Sequence, residues 1–271
     1  MAIVLGIKKP PPPTNDFSGD SDCLAVYKLD YDNGGVDGNV CYLDSQNSYN
    51  LNQVYTGWVS DGTTFKEGDG SLYCNGTGAL GLSVANQDVN WPGSLLGGHD
   101  KTLVSWCYWV KFDTLAVNAF QHFKGIVGKF TSGKAMFDSN FGHGSDHKAN
   151  IRMGSGNGSV YQISTDYYTP VVDDVWYHFQ CSINGTTGAY WFRIWDDTAG
   201  AYLDGDGLGN PRTGTFTNTP GIILDTEDTD FRIGTGSGTY RHVGNIDEVV
   251  IWNAIKNLTD FNAVRAGLYG T

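Results

Sequence analysis

Near the end of the chain, "GNIDEVVIWNAIKN" (Gly244 to Asn257) sets Asp247 and Glu248 directly ahead of an apolar run. A carboxylate pair can carry out acid–base catalysis, hold a cation, or simply accept hydrogen bonds from backbone amides. Retaining glycoside hydrolysis needs two carboxyl groups about 5–5.5 Å apart. Residues at i and i+2 of a strand share a face and meet that distance, whereas neighbours point to opposite faces. Asp247 and Glu248 are neighbours, so the pair predicts no catalytic dyad. With no nucleophile–base grouping elsewhere, the sequence predicts a protein that is not an enzyme.

Other constellations are thinner. "FGHGSDHKAN" brings His143, Asp146 and His147 within five residues, the outline of a surface metal site that lacks a third imidazole nearby. "DGDGLGN" (Asp204 to Asn210) resembles a calcium loop, but Leu208 takes a ligand position and no Glu closes it. "IGTGSGTY" follows a strand and opens no helix, so it is no phosphate cradle. His178, inside "DDVWYHF", reads as a core or edge histidine. Trp58 and Trp91 stand in polar, Gly-rich loops, where exposed aromatics serve sugar stacking or protein interfaces. Both are candidate ligand-binding residues.

The elements that would position these residues are strands. The chain has 271 residues, 37 of them Gly, with 13% aromatic and only 17% charged residues. Short apolar runs such as "CLAVYKL", "KTLVSWCYWVKF", "VWYHFQCSI", "AYWFRIW" and "DEVVIW" alternate with Gly, Asn and Asp turns. Only "KNLTDFNAVRAGL" (Lys256 to Leu268) has helical spacing, with Asn257 or Thr259 as its cap. This pattern predicts an all-β protein: an antiparallel two-sheet sandwich of jelly-roll type over residues 17–271, with a short C-terminal helical turn. Residues 1–16 form an extended arm. Pro10, Pro11, Pro12 and Pro13 favour a polyproline II rod that reaches about 50 Å. Ile7 and these prolines are the candidate partner-docking residues, against the chain's own domain or a neighbouring chain. The apolar start carries no basic residue ahead of it, so it does not read as a signal peptide. A net charge of −12 argues against nucleic acid and anionic membranes, and no stretch predicts membrane insertion. Of five cysteines, Cys107 and Cys181 read as buried thiols, while Cys23 with Cys41, or either with Cys74, is a possible disulfide.

The order of these segments resembles the laminin-G-like, concanavalin-A-like jelly-roll family from about Asp22 onward. "LAVYKLD" is similar to its first core strand and "DSQNSYNL" to a turn that follows. "EGDGSLYCNGTGALGL", "TLVSWCYWVKF" and the closing "GNIDEVVIWNAIKNLTDFNAV" match later pieces in sequence. The resemblance implies that Ile246, Val249 and Ile251 are core positions and that Asp247 faces the opening turns. It also implies a structural calcium there, held by Asp30 or Asp44 with Asp247 and loop carbonyls; calcium takes six to eight oxygens. The alternative is that Asp247 accepts backbone amides of a turn. Laminarinase-like members carry E-x-D-x-x-E, a stretch absent here. The combined expectation is a virion surface protein, a capsid decoration or fibre component, anchored by its arm to capsid or fibre subunits. It would be homo-oligomeric, display its sandwich outward and touch glycans. A free, secreted, lectin-like carbohydrate-binding module is the alternative.

Overall fold

The computed structural model describes residues 14–30, 52–53, 58–76, 82–84, 103–113, 124–131, 134–143, 147–154, 161–216, 231–234 and 242–271. Ile7, Pro10 to Pro13, Cys41, Asp44 and Trp91 lie outside the described residues. In chain order the strands are β1 (Cys23–Tyr27), β2 (Asn52–Gln53), β3 (Trp58–Asp61), β4 (Ser71–Asn75), β5 (Leu82–Val84), β6 (Leu103–Phe112), β7 (Lys124–Thr131) and β8 (Lys134–His143). They continue with β9 (Lys148–Gly154), β10 (Tyr161–Ile163), β11 (Trp176–Asn184), β12 (Ala189–Asp196), β13 (Ala201–Tyr202), β14 (Arg212–Thr215), β15 (Phe231–Ile233) and β16 (Val243–Trp252). A nine-stranded sheet runs β13-β12-β11-β6-β16-β4-β3, with β1 also on β16 and β14 also on β12. A seven-stranded sheet runs β10-β9-β8-β7-β15-β5-β2. The fold is the expected antiparallel β-sandwich.

Between the sheets lies an aromatic core. Trp106, Tyr108, Val110 and Phe112 of β6 alternate into it, beside Phe179 of β11, Phe192 of β12 and Phe137, Phe141 and Ile151 of the smaller sheet. Ile246, Val249 and Ile251 stand in the same cluster. The intervening residues of β6 and β16 are buried too, because a second cluster of Phe17, Cys23, Val26, Cys107, Val250, Trp252, Phe261 and Val264 covers the outer face of the larger sheet. Both faces of these strands are therefore dry, which is why they read as unbroken apolar runs.

The outer cover is helix α1 (Leu258–Arg265) together with the chain's first described residues. Asn257 caps α1 in a capping box with Asp260, leaving no role for Thr259 as the cap. Asn15 and Asp16, which the sequence places in the arm, are held on the sandwich: the Asn15 amide donates to Val264 O and Asp16 N to Tyr269 O. Asp20 Oδ2 gathers Trp252 Nε1, Lys256 Nζ and the Tyr269 hydroxyl, which clasps the two ends of the described chain together. Cys23 belongs to the outer cluster and Cys74 to the inner one, on opposite faces of the sheet, so their pairing is not made and both remain thiols.

Two expectations need correction. Asp247 and Glu248 sit inside β16 at a bulge, between Asp247 and Val250, where Glu248 takes φ 41. The extra residue cancels the alternation. Both acids consequently meet elements on the outer side of the sheet, instead of pointing to opposite faces. Trp58 does not stand in a loop; it opens β3, opposite Cys74.

Candidate functional site

The loop between β3 and β4 unites two of the predicted acids. Asp247 Oδ2 accepts Lys66 N (2.7 Å) and Glu67 N (3.0 Å), and its Oδ1 accepts Glu248 N (2.8 Å). Asp30 Oδ1 accepts Asp69 N (3.1 Å) in the same loop. Between them Gly68 has φ +58, and a Cβ there would stand 1.6 Å from Asp30 Oδ1, so only glycine fits. Glu248 gives Oε1 to the Asn15 amide (2.7 Å), while its buried Oε2 has no partner. Burial pushes the Asp247 carboxyl well above its ordinary value, and the amides of Glu67 and Lys66 oppose that shift. Burial raises Glu248 as well, with the Glu67 carboxyl adding to the effect, and burial lifts Glu67 to about 7. Four carboxyl groups, Asp30, Glu67, Asp247 and Glu248, thus share one acidic end of the molecule. Among the described residues no three ligating side chains form a ready metal cage. Asp247 already accepts three backbone amides, a poor arrangement for a catalytic acid or nucleophile.

A second group was not singled out in the sequence. On β8, Phe137, Ser139 and Phe141 turn inward, and on β9 Ala149, Ile151 and Met153 do. Alternation puts Asp138, Asn140, Asn150 and Arg152 on the outward face of the smaller sheet. Register sets Asp138 opposite Arg152 and Asn140 opposite Asn150. The Arg152 guanidinium bonds both Asp138 Oδ2 and Asn140 Oδ1. All four residues are at most 2% exposed; burial lifts Asp138 to about 6 although Arg152 pulls it down. Asn140 Nδ2 and Asn150 Oδ1 have no partner. The group reaches solvent through Asp166, whose Oδ1 accepts Asn150 Nδ2 at 3.4 Å.

Two residues further on, Tyr168 is 59% exposed, on the side of the chain away from core residue Tyr167. The loop 204–210 braces it. Gly207 has φ +87, and a Cβ there would stand 3.3 Å from the Tyr168 ring. That loop is closed by its own acids: Asp204 Oδ1 takes the amides of Asp206, Gly207 and Gly209, and Asp206 Oδ1 those of Leu208 and Asn210. These carboxylates serve the turn, which is why the calcium-loop outline came without a full ligand set. Leu208, next to Gly207 in that loop, is 83% exposed. The signal for this rim was present as "TDYYTP", an aromatic pair in a polar stretch in which one ring must face out.

The remaining candidates separate. His143 ends β8, and Asp146 lies outside the described residues, as does His143's side chain. His178 is fully buried between Trp109 and Gln180; burial, with Arg265 and Lys66 nearby, holds its imidazole neutral. Among the described residues no helix is long and apolar enough to cross a membrane.

Known structures resemble this architecture. Domain 4 of AbnA, a GH43 extracellular arabinanase from Geobacillus stearothermophilus, solved with arabinotriose, superposes with TM-score 0.58 at 14% identity, over 90% of this chain and 98% of that one. The binding domain of Paraclostridial Mosquitocidal Protein 1 gives 0.59 at 13% identity, over 90% and 52%. Trypanosoma rangeli sialidase gives 0.54 at 11% identity, over 92% of this chain and 34% of that one. No protein-family model and no curated sequence matches the chain. The likeness shows the fold.

Proposed function

We propose that this chain is a non-catalytic, extracellular carbohydrate-binding β-sandwich of the laminin-G-like kind. The carrying observation is the rim at Asp166 and Tyr168: an exposed ring, braced by Gly207, beside a carboxylate tied to a polar group on the outward sheet face. Sugars are bound by stacking a C–H face on an aromatic ring while amides and carboxylates take the hydroxyls. Support comes from a similarly folded domain solved with arabinotriose. Tyr168→Ala should abolish retention on a glycan array while leaving the melting temperature unchanged, because an exposed ring contributes little to the core. Undiminished retention by the variant, or no glycan retained by the parent chain, would sink this reading.

Calcium is proposed to join Asp247 to Asp30 or Asp44 at the acidic end, with Glu248 Oε2 as an unused oxygen nearby. The cation would offset the mutual repulsion of these carboxyl groups.

The finer reading is a virion-surface subunit, a capsid decoration or fibre component held by residues 1–16. It is favoured by the Pro10–Pro13 run and by the way Asn15 fixes the root of the arm beside Glu248. Residues 14–271 should then stay folded but sediment as a monomer, while the full chain sediments in a homo-oligomer or larger particle. Identical sedimentation of the two forms would leave the free lectin-like module as the better reading.

A further inference from the structure

The outward face of the larger sheet carries a row of side chains set by register. Trp109 of β6 faces His178 of β11, His178 faces Trp195 of β12, and Trp195 faces Tyr202 of β13. Lys66 closes the first end, 4.9 Å above the Trp109 ring and paired with Asp197. At the other end two guanidinium groups flank the rings. Arg265 of α1 lies 3.7 Å from the Trp195 ring centre and Arg193 lies 4.5 Å from that of Tyr202, while the two rings meet edge to face at 5.1 Å. Arg265, Trp195, Tyr202 and Arg193 thus form a ladder of cation, ring, ring, cation.

What the ladder lacks is an acceptor. Among the described residues each guanidinium lies over its ring, and neither has a carboxylate or hydrogen-bond partner. The Nε of each, and Trp195 Nε1, are buried and unpartnered. Nearby acids are engaged elsewhere, Asp197 by Lys66 and Asp196 by Ala199 N. A guanidinium stacked on a ring keeps its N–H edge free for a planar or tetrahedral oxyanion, and buried donors without an acceptor are costly.

We infer that Arg265, Trp195, Tyr202 and Arg193 form a site for the oxyanion groups, carboxylate or sulfate, of an acidic polysaccharide. Half-buried rings between the two cations suit a sugar backbone between charged substituents. The chain's net charge of −12 opposes any polyanion at long range, so binding here rests on direct contact with the two guanidinium groups. Tyr168 lies in neither sheet and its ring is no part of the ladder, so the site does not depend on the function proposed for that rim.

The test is binding of the full chain to immobilised polygalacturonate, dextran sulfate and neutral dextran, with melts of every variant. The parent should bind at least one polyanion, more weakly in high salt, and neutral dextran should not compete. Arg193→Gln and Arg265→Gln should each weaken binding about tenfold, with the Lys variants intermediate. Binding to polygalacturonate alone supports a carboxylate ligand, to dextran sulfate alone a sulfate. Should Arg265→Gln disturb α1, Arg193→Gln decides. Parent-like binding by a folded Arg193→Gln chain, or a parent that binds neither polyanion, overturns the proposal.

Discussion

Asp247→Ala should lower stability by about 3–6 kcal/mol, because it strands three backbone amides at once, at about 1–3 kcal/mol for a buried donor and the lower part of that range for the part-buried amides of Lys66 and Glu67. Those of Lys66 and Glu67 hold the loop that also receives Asp30, and that of Glu248 stabilises the bulge. Against a total of about 5–15 kcal/mol, the loss is large and shifts Tm by on the order of 10 °C. Asp247→Asn keeps one acceptor oxygen and should fall between the two. A thermal melt of Asp247→Ala within about 2 °C of the parent would mean that other contacts hold the loop.

The same end of the molecule sets a pH dependence. Glu67 is lifted to about 7, and Glu248 and Asp247 lie well above their ordinary values. The native chain therefore holds protons that the unfolded chain has released. The stability these groups contribute is complete below the ordinary carboxyl range and declines as pH rises through about 7. Bound calcium would oppose that decline, so chelator should lower Tm more at pH 7.5 than at pH 5. An unchanged melt in excess chelator, with no metal by elemental analysis, rules the ion out.

How much of this was legible in the sequence depended on whether the information was local. Apolar runs marked the strands, and the family resemblance implied Ile246, Val249 and Ile251 as core positions, where the inner cluster holds all three. The Asn257 cap was legible because a capping box is a four-residue motif. The bulge was not. An extra residue in β16 is defined only against its partner β6, and no property of "IDEV" alone reveals it. Trp58 was misread for a related reason: its Gly-rich neighbourhood hid the pairing with β4. The outward polar group escaped notice because "MFDSNFG" and "KANIRMG" read as two separate alternating strands; register alone brings Asp138 to Arg152 and Asn140 to Asn150.

That register underlies the second large effect. Arg152→Met should cost about 3–5 kcal/mol near pH 8, since it leaves Asp138 buried beside a partner that carries no charge. The penalty should shrink at pH 5. Asp138 is already raised to about 6 with Arg152 in place, and without it the carboxyl escapes by taking up a proton. Asp138→Leu combined with Arg152→Met should recover much of the loss, because a well-packed apolar pair replaces a desolvated ionic one at little net cost. Melts of the three chains at both pH values measure this. A loss below about 1 kcal/mol for Arg152→Met at pH 8, with no pH dependence, is the behaviour of a hydrated surface pair. That outcome would mean that water reaches Asp138 and Arg152 in solution, and it would move the polar group from a buried support behind the Tyr168 rim to a surface that sugar hydroxyls contact directly.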